Sequence, residues 1–292
     1  MTTVFPRLGF GLGLRPPHYH EAATGDARVD WWEVISENFL VAGGNPRRVL
    51  RLVRERWPVV LHGVSLSIGS TDPLDDGYLA RLAELVADVE PPIVSDHLCW
   101  SSFAGHSAHD LWPLPYTEEA LAHVVARVGR VQDRLGRRIL LENPASYVTF
   151  GASELGEAEF LAEVARRADC GILLDVNNVF VSCTNHGWDA RAYLAAIPAE
   201  RVGQLHLAGH SDQGTHLLDS HDQPVCDAVW ALYAEAAARL GPRATMIERD
   251  DRIPALAELV DELDRARAIA AEVGARAGAA AADVARPEPA RA

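Results

Sequence analysis

The sequence predicts an α/β protein of the (β/α)8 TIM-type barrel class, with a single barrel domain over residues 1–273. Three observations carry that expectation. Eight short apolar runs alternate along the chain with longer amphipathic segments. Most of the runs are continuous in β-branched residues and leucine rather than alternating, as in parallel strands covered on both faces. No Gly-x-Gly-x-x-Gly turn opens a helix, since Gly9, Gly11 and Gly13 lack that spacing, which argues against an open doubly wound sheet.

The runs occupy residues 8–14, 31–36, 59–66, 93–98, 138–143, 171–177, 202–208 and 245–249. Helical patterns follow the second to eighth runs at 46–57, 74–88, 117–135, 154–168, 190–196, 227–240 and 254–273. Pro46 suits a first helical turn, and Gly136 and Gly241 stand where C-terminal caps belong. The first connection, 15–30, is only weakly helical, and segments 99–116 and 210–224 read as long non-helical insertions. From residue 274 the chain is rich in Ala, Arg and Pro and is expected to be a disordered tail through 292.

Composition narrows the function classes. Hydrophobic residues make up 48% of the 292, enough for a large core, while the net charge of −14 argues against a nucleic-acid partner. All 27 basic residues are arginine, so lysine Schiff-base and lysine-base chemistry are excluded. Cys99, Cys170, Cys183 and Cys226 form neither a Cys-x-x-Cys pair nor a disulfide framework. The first residues lack a basic stretch followed by a long apolar run, and no segment reaches the ~18 apolar residues of a membrane span. A cytoplasmic protein with no membrane partner is expected.

The chemistry gathers at the C-terminal ends of the runs, which in a barrel of this class open into one mouth. The third run ends with His62, the fourth with Asp96 and His97, the fifth with Glu142 and the sixth with Asp175. The seventh carries His206 and the eighth Glu248, and the loop after the seventh adds Asp219 and His221. Any one buried histidine is more often a hydrogen-bonded core residue than a ligand. Four histidines and four carboxylates converging on one mouth would carry large desolvation and repulsion costs without cations. A metal cluster is therefore the cheaper explanation. A first-row ion takes about four to six ligands, so eight donors exceed what one ion uses. Two ions fit, and three fit if Glu142 or another carboxylate bridges. Mixed imidazole and carboxylate donors suit iron, manganese or zinc alike. Asp96, Asn178, His210, Arg249 and Asp250 are candidates for further ligands or for groups that orient them, with Asp96 placed to orient His97 or a neighbour. Trp100 and Trp112, in the first insertion, are candidates to wall a substrate groove over the metals.

The segments LHGVSLSIG (61–69), SDHLCW (95–100), LLENPASY (140–147), LLDVNN (173–178), QLHLAGH (204–210), DSHDQPV (219–225) and IERD (247–250) resemble the multinuclear non-haem iron-dependent oxidase family, which includes the methanobactin-synthesis iron oxidase. The resemblance spans roughly residues 5–270 with the segments in order. It implies a TIM-type barrel with two or three irons, including a mixed-valent pair, held by His62, His97, Glu142, Asp175, His206, Asp219, His221 and Glu248. It further implies dioxygen as co-substrate, a Cys-containing precursor peptide as substrate, and a small partner protein that delivers it. Two other classes compete: a redox-neutral metal-dependent isomerase or hydrolase on a similar barrel, and a non-catalytic metal-binding partner protein.

Overall fold

The computed structural model describes residues 5–25 and 27–284. Eight strands close into an all-parallel barrel: β1 (Phe10–Gly13), β2 (Trp31–Ile35), β3 (Val59–Gly63), β4 (Val94–His97), β7 (Leu140–Glu142), β8 (Gly171–Asp175), β9 (Val202–Leu207) and β12 (Ala244–Ile247). Between β4 and β7 an antiparallel hairpin, β5 (Trp100–Phe103) and β6 (His106–Trp112), occupies the first insertion. A smaller one, β10 (Ser211–Asp212) and β11 (Leu217–Leu218), occupies the second. The surrounding helices are α1 (Tyr19–Thr24), α2 (Asn45–Arg54), α3 (Asp76–Val89), α4 (Glu118–Leu135), α5 (Glu157–Arg167), α6 (Val176–His186), α7 (Ala190–Ala196), α8 (Asp227–Leu240) and α9 (Leu256–Val284). Among the described residues, no helix is long and apolar enough to cross a membrane.

Period-two alternation in the strands sorts the side chains into two cores. Leu12, Trp32, Val34, Leu61, Leu141, Leu174 and Leu205 pack outward against the helices. Trp31, Val60, Ile93, Leu140, Leu173, Ala244 and Met246 form a separate apolar plug, joined by Phe5 and Leu8. Room for the Trp31 indole comes from Gly11, where a Cβ would sit 2.4 Å from the ring. Two residues beyond the last plug residue at each of these strands, on the same face, stand Glu33, His62, Ser95, Glu142, Asp175 and Glu248. The interior is thus apolar below and titratable at the mouth.

Two elements differ from the sequence expectation. The sixth run ends as a strand at Asp175, whose carboxylate accepts the Asn178 N–H at 2.6 Å and caps α6. The buried Val176, Val179 and Val181 that follow suit a buried helix as well as a strand, so periodicity alone did not separate them. Helix α9 continues through Val284, past the boundary expected at 273, because its Ala-rich sequence favours helix. The rest of the expected tail, 285–292, lies outside the described residues.

Candidate metal centre

Three groups of donors meet at the mouth: His62, His97 and Glu142; Glu142, Asp175, His206 and Glu248; and His221, Glu248 and Asp250. Within each group the donor atoms lie within 4.8 Å of one another. Glu142 belongs to the first and second groups, and Glu248 to the second and third.

The first group is built by neighbouring strands. His62 Nδ1 faces Ser95 Oγ at 2.9 Å, and Ser95 Oγ donates to the Leu61 carbonyl. His97 Nδ1 donates to the Gly63 carbonyl at 3.2 Å. Both rings therefore carry their proton on Nδ1 and turn a bare Nε2 inward. Each Nε2 stands 3.3 Å from the same oxygen, Glu142 Oε2. Lone pairs facing a carboxylate across that distance repel unless a proton or a metal cation lies between them. Burial pushes the His97 imidazole down to about 4, against the pull of Glu248, and burial together with His97 and His206 holds His62 low. Neutral imidazoles are the form that binds metal.

In the second group, His206 Nε2 faces Glu33 Oε2 at 3.2 Å, and Gln204 donates to that same oxygen at 2.6 Å. A ring proton held there leaves Nδ1 for the cluster, 3.0 Å from Glu248 Oε2 and 3.7 Å from Glu142 Oε1. Burial opposes charge on His206, but Glu33, Glu248 and Glu142 outweigh it and hold the ring protonated when no ion is present. Burial and the charge of Asp219 push Asp175 up to about 7. Asn143 locks its backbone in place, accepting the Asp175 N–H at 2.9 Å and donating to the Asp175 carbonyl at 3.0 Å.

In the third group, His221 Nδ1 lies 3.0 Å from Asp250 Oδ2 and 3.6 Å from Glu248 Oε2, and its Nε2 lies 2.7 Å from Asp219 Oδ1. Arg15 reaches in from the end of β1 to Asp250, at 3.0 Å through Nε, and to Glu248, at 3.3 Å. Asp219 is held by Asn177, which donates to Oδ1 at 2.7 Å, and its N–H donates to the Tyr147 hydroxyl at 2.9 Å.

The residues fit a metal cluster. Both oxygens of Glu142, Asp175 Oδ2 and Asn178 Oδ1 are buried without a hydrogen-bond partner. Native proteins rarely leave so many polar atoms unpaired in one place. The carboxylates of Glu33, Glu142, Asp175, Asp219, Glu248 and Asp250 lie together, with Arg15 the arginine in contact with them. Metal ions would satisfy both the orphaned donors and the charge.

The structure brings together all eight residues expected as ligands, with Asp219 entering through its contact with His221 rather than through a donor group of its own. Asp250 joins them, and Asn178 points an unpaired oxygen from the first turn of α6. His210 is drawn instead to Asn177 Oδ1 at 2.7 Å and stacks on Phe180. Two expectations are corrected. Arg249 turns away to Glu262 on α9, at 3.1 Å, because Glu248 before it faces inward. Asp96 faces outward for the same reason; it accepts the backbone N–H groups of His97 and Leu66 and does not orient the His97 ring. Trp100 and Trp112 stack on each other in the β5–β6 hairpin, centroids 6.0 Å apart. Arg15 and Glu33 were not anticipated, although a glutamate inside the run WWEVI was a visible signal.

A family described as "RiPP precursor modification enzyme MbnB/TglH/ChrH" matches residues 9–271. A UPF0276 protein of Anaeromyxobacter sp. (strain Fw109-5) is 62% identical over 273 residues, covering 94% of this chain and 95% of the relative. UPF0276 proteins of Rhizorhabdus wittichii and Caulobacter vibrioides are 62% and 57% identical, covering 89% and 91% of this chain and 94% and 95% of the relatives. Solved structures share the fold at low identity. An L-ribulose 3-epimerase matches with a TM-score of 0.57 at 15% identity, over 96% of this chain and 99% of that one. A xylose isomerase-like TIM barrel/4-hydroxyphenylpyruvate dioxygenase fusion protein matches with a TM-score of 0.61 at 15%, over 98% of this chain and 46% of that one. The match to the family over nearly the whole barrel, with relatives this similar, means that the chain belongs to the family of RiPP precursor modification enzymes MbnB/TglH/ChrH.

Proposed function

We infer that the chain is a multinuclear iron-dependent oxidase that modifies cysteine residues of a ribosomally synthesised precursor peptide, with dioxygen as co-substrate. The observation that carries this reading is the set of three donor groups joined through Glu142 and Glu248 at the mouth of a peptide-modifying family's barrel. The redox chemistry, thiolate binding and reduction of dioxygen, is what a bound mixed-valent set of two or three irons supplies.

The chain's own residues position and balance. His62, His97 and Glu142 would hold one ion, Glu142, Asp175, His206 and Glu248 a second, and His221, Glu248 and Asp250 a third, with Asp219 beside it. Ser95, the Gly63 carbonyl and Glu33 fix which ring nitrogen each histidine presents. Arg15 restrains the outer carboxylates. The substrate thiol comes from outside. Cys99, Cys170 and Cys183 are buried, and burial pushes the thiols of Cys170 and Cys183 up to about 12. Cys183 lies within α6, and half-buried Cys226 stands at the N-cap position of α8. Four free cysteines suit a reducing compartment, so we place the protein in the cytoplasm, where a small partner protein would deliver the peptide.

The test combines iron-loaded enzyme, dioxygen and a candidate precursor peptide, with its partner protein where one is encoded, and follows peptide mass. The expected result is an oxygen-dependent mass change that vanishes with a Cys→Ser peptide and survives Cys183→Ser and Cys226→Ser in the enzyme. A modification that proceeds without dioxygen, or with zinc alone, would sink the oxidase reading in favour of redox-neutral chemistry.

A further inference from the structure

Two cavities open on the molecule and share a wall. One, of about 450 Å³, lies between the segment after β7 and the starts of α5 and α7, with Tyr116, Phe150, Trp188 and Tyr193 in its lining. The other, of about 460 Å³, lies between the β5–β6 hairpin and the start of α4, lined by Trp100 and Phe103. Leu114 lines both, so the two cavities adjoin there in one groove-like stretch of surface.

The groove gathers exposed apolar surface. Phe103 is 57% exposed, Val148 42%, Trp188 38% and Phe150 37%, and all four line it. A single exposed apolar side chain needs no explanation, but a contiguous set marks a surface that something covers. The carboxylates in the lining are Glu119, Glu157, Glu159 and Asp189, with no arginine among the lining residues. Buried Glu157 accepts from the Tyr116 hydroxyl at 3.0 Å and the Tyr193 hydroxyl at 2.9 Å, and is satisfied by hydroxyls rather than by a cation.

The groove lies near the donor cluster. Ser146, in the first cavity, follows the ligand Glu142 by four residues, so their Cα atoms are at most about 14 Å apart. Trp100, in the second, follows His97 by three, so at most about 11 Å separates them.

We propose that this groove binds an extended segment of the precursor peptide, whose apolar side chains fill the two cavities and whose neighbouring basic residues meet the acidic lining, while its cysteine reaches the donor cluster. The proposal rests on the reading that the substrate is a peptide. Each cavity has room for an aromatic or leucyl side chain and more, and two cavities flanking Leu114 suit an extended chain better than a flat partner surface. A second copy of this chain is disfavoured as occupant, since it carries the same acidic lining and a net charge of −14. At 3.3 Å per extended residue, the near edges of the two cavities, at Ser146 and Trp100, would lie within about four residues of the modified cysteine.

The test measures binding separately from turnover. The probe is a fluorescein-labelled synthetic peptide that places a phenylalanine and a leucine, each beside an arginine, on one side of a single cysteine. Binding to the metal-loaded enzyme is read by fluorescence anisotropy. Phe103→Ser and Trp188→Ser, both exposed and outside the donor cluster, should each weaken binding about tenfold, as loss of one buried apolar side chain does, with metal content unchanged. Glutamate in place of the peptide arginines should weaken it similarly. Binding unaffected by both variants at full metal content overturns the proposal. So does light scattering that shows a wild-type dimer which both variants convert to monomer, or a delivering partner protein whose binding alone the variants abolish. Failure of the oxidase reading looks different: no oxygen-dependent mass change, with probe binding still sensitive to Phe103 and Trp188.

Discussion

Glu142→Gln separates the cost of the donor cluster from its use. Glu142 is buried, neither of its oxygens has a hydrogen-bond partner, and Oε2 stands 3.3 Å from both His62 and His97. Burial raises its pKa well above the ordinary carboxylate value; His206 pulls the other way, but Asp175, Glu248 and Glu33 add to the rise. A raised folded pKa means that the native state holds a proton the unfolded chain has released. Stability contributed below the ordinary value is therefore lost as pH climbs above about 4.5. At pH 7 that loss is at most about 3.5 kcal/mol, from ~1.4 kcal/mol per pH unit over the interval. Glutamine has the same shape, no charge, and N–H groups that can donate to the bare Nε2 atoms of the two histidines. The metal-free variant should therefore melt higher than wild type at pH 7, by up to about 6 °C, with the gain fading towards pH 4.5. Added iron should reverse the order, because the wild type gains binding free energy that the variant has lost. Differential scanning calorimetry of both proteins, metal-free and iron-loaded, at two pH values checks this. A metal-free variant no more stable than wild type, or one that binds as much iron, would refute the bridging role.

Elemental analysis of anaerobically purified protein should find more than one iron per chain, since the donors form three groups; a value fixed at one contradicts the cluster. His62→Ala should lose about one metal equivalent and Glu142→Ala more than one, because His62 serves one group and Glu142 two; His106→Ala, exposed on β6, should lose none. Iron affinity, measured by chelator competition, should fall as pH drops through 7, since Asp175, pushed up to about 7, must give up its proton to bind metal; a flat profile between pH 6 and 8 would count against Asp175 as a ligand. Glu33→Ala should weaken metal affinity by about 10–100-fold with the fold retained by circular dichroism, as loss of a carboxylate that orients a ligating histidine does.

The barrel was legible because burial on both faces leaves a continuous apolar run in each strand, and eight such runs separated by helix-forming segments close in essentially one way. The candidate donors were legible because parallel strands point their C-terminal ends at one mouth, so a histidine or carboxylate there could be placed without coordinates. Parity within a strand carried more information than was taken from it. Asp96 and Arg249 each stand one residue from an inward-facing donor, and alternation alone turns them outward. The start of α6 was hidden because valines at 176, 179 and 181 satisfy a buried helix and a buried strand equally, and because Asp175 is both cap and candidate ligand.

Tertiary structure decided what depends on contacts between distant strands. Arg15 and Glu33, from the first two strands, meet Glu248 and His206 more than 170 residues later, a pairing set by closure of the barrel. That Glu142 and Glu248 are the shared donors follows from the angle at which neighbouring strands present their side chains, which residue order does not contain. The groove across Leu114 likewise exists only once the β5–β6 hairpin and the starts of α4, α5 and α7 have packed together. Local sequence determines which face of a strand or helix a side chain occupies, because backbone geometry is periodic; which faces then meet is settled by packing of the whole chain.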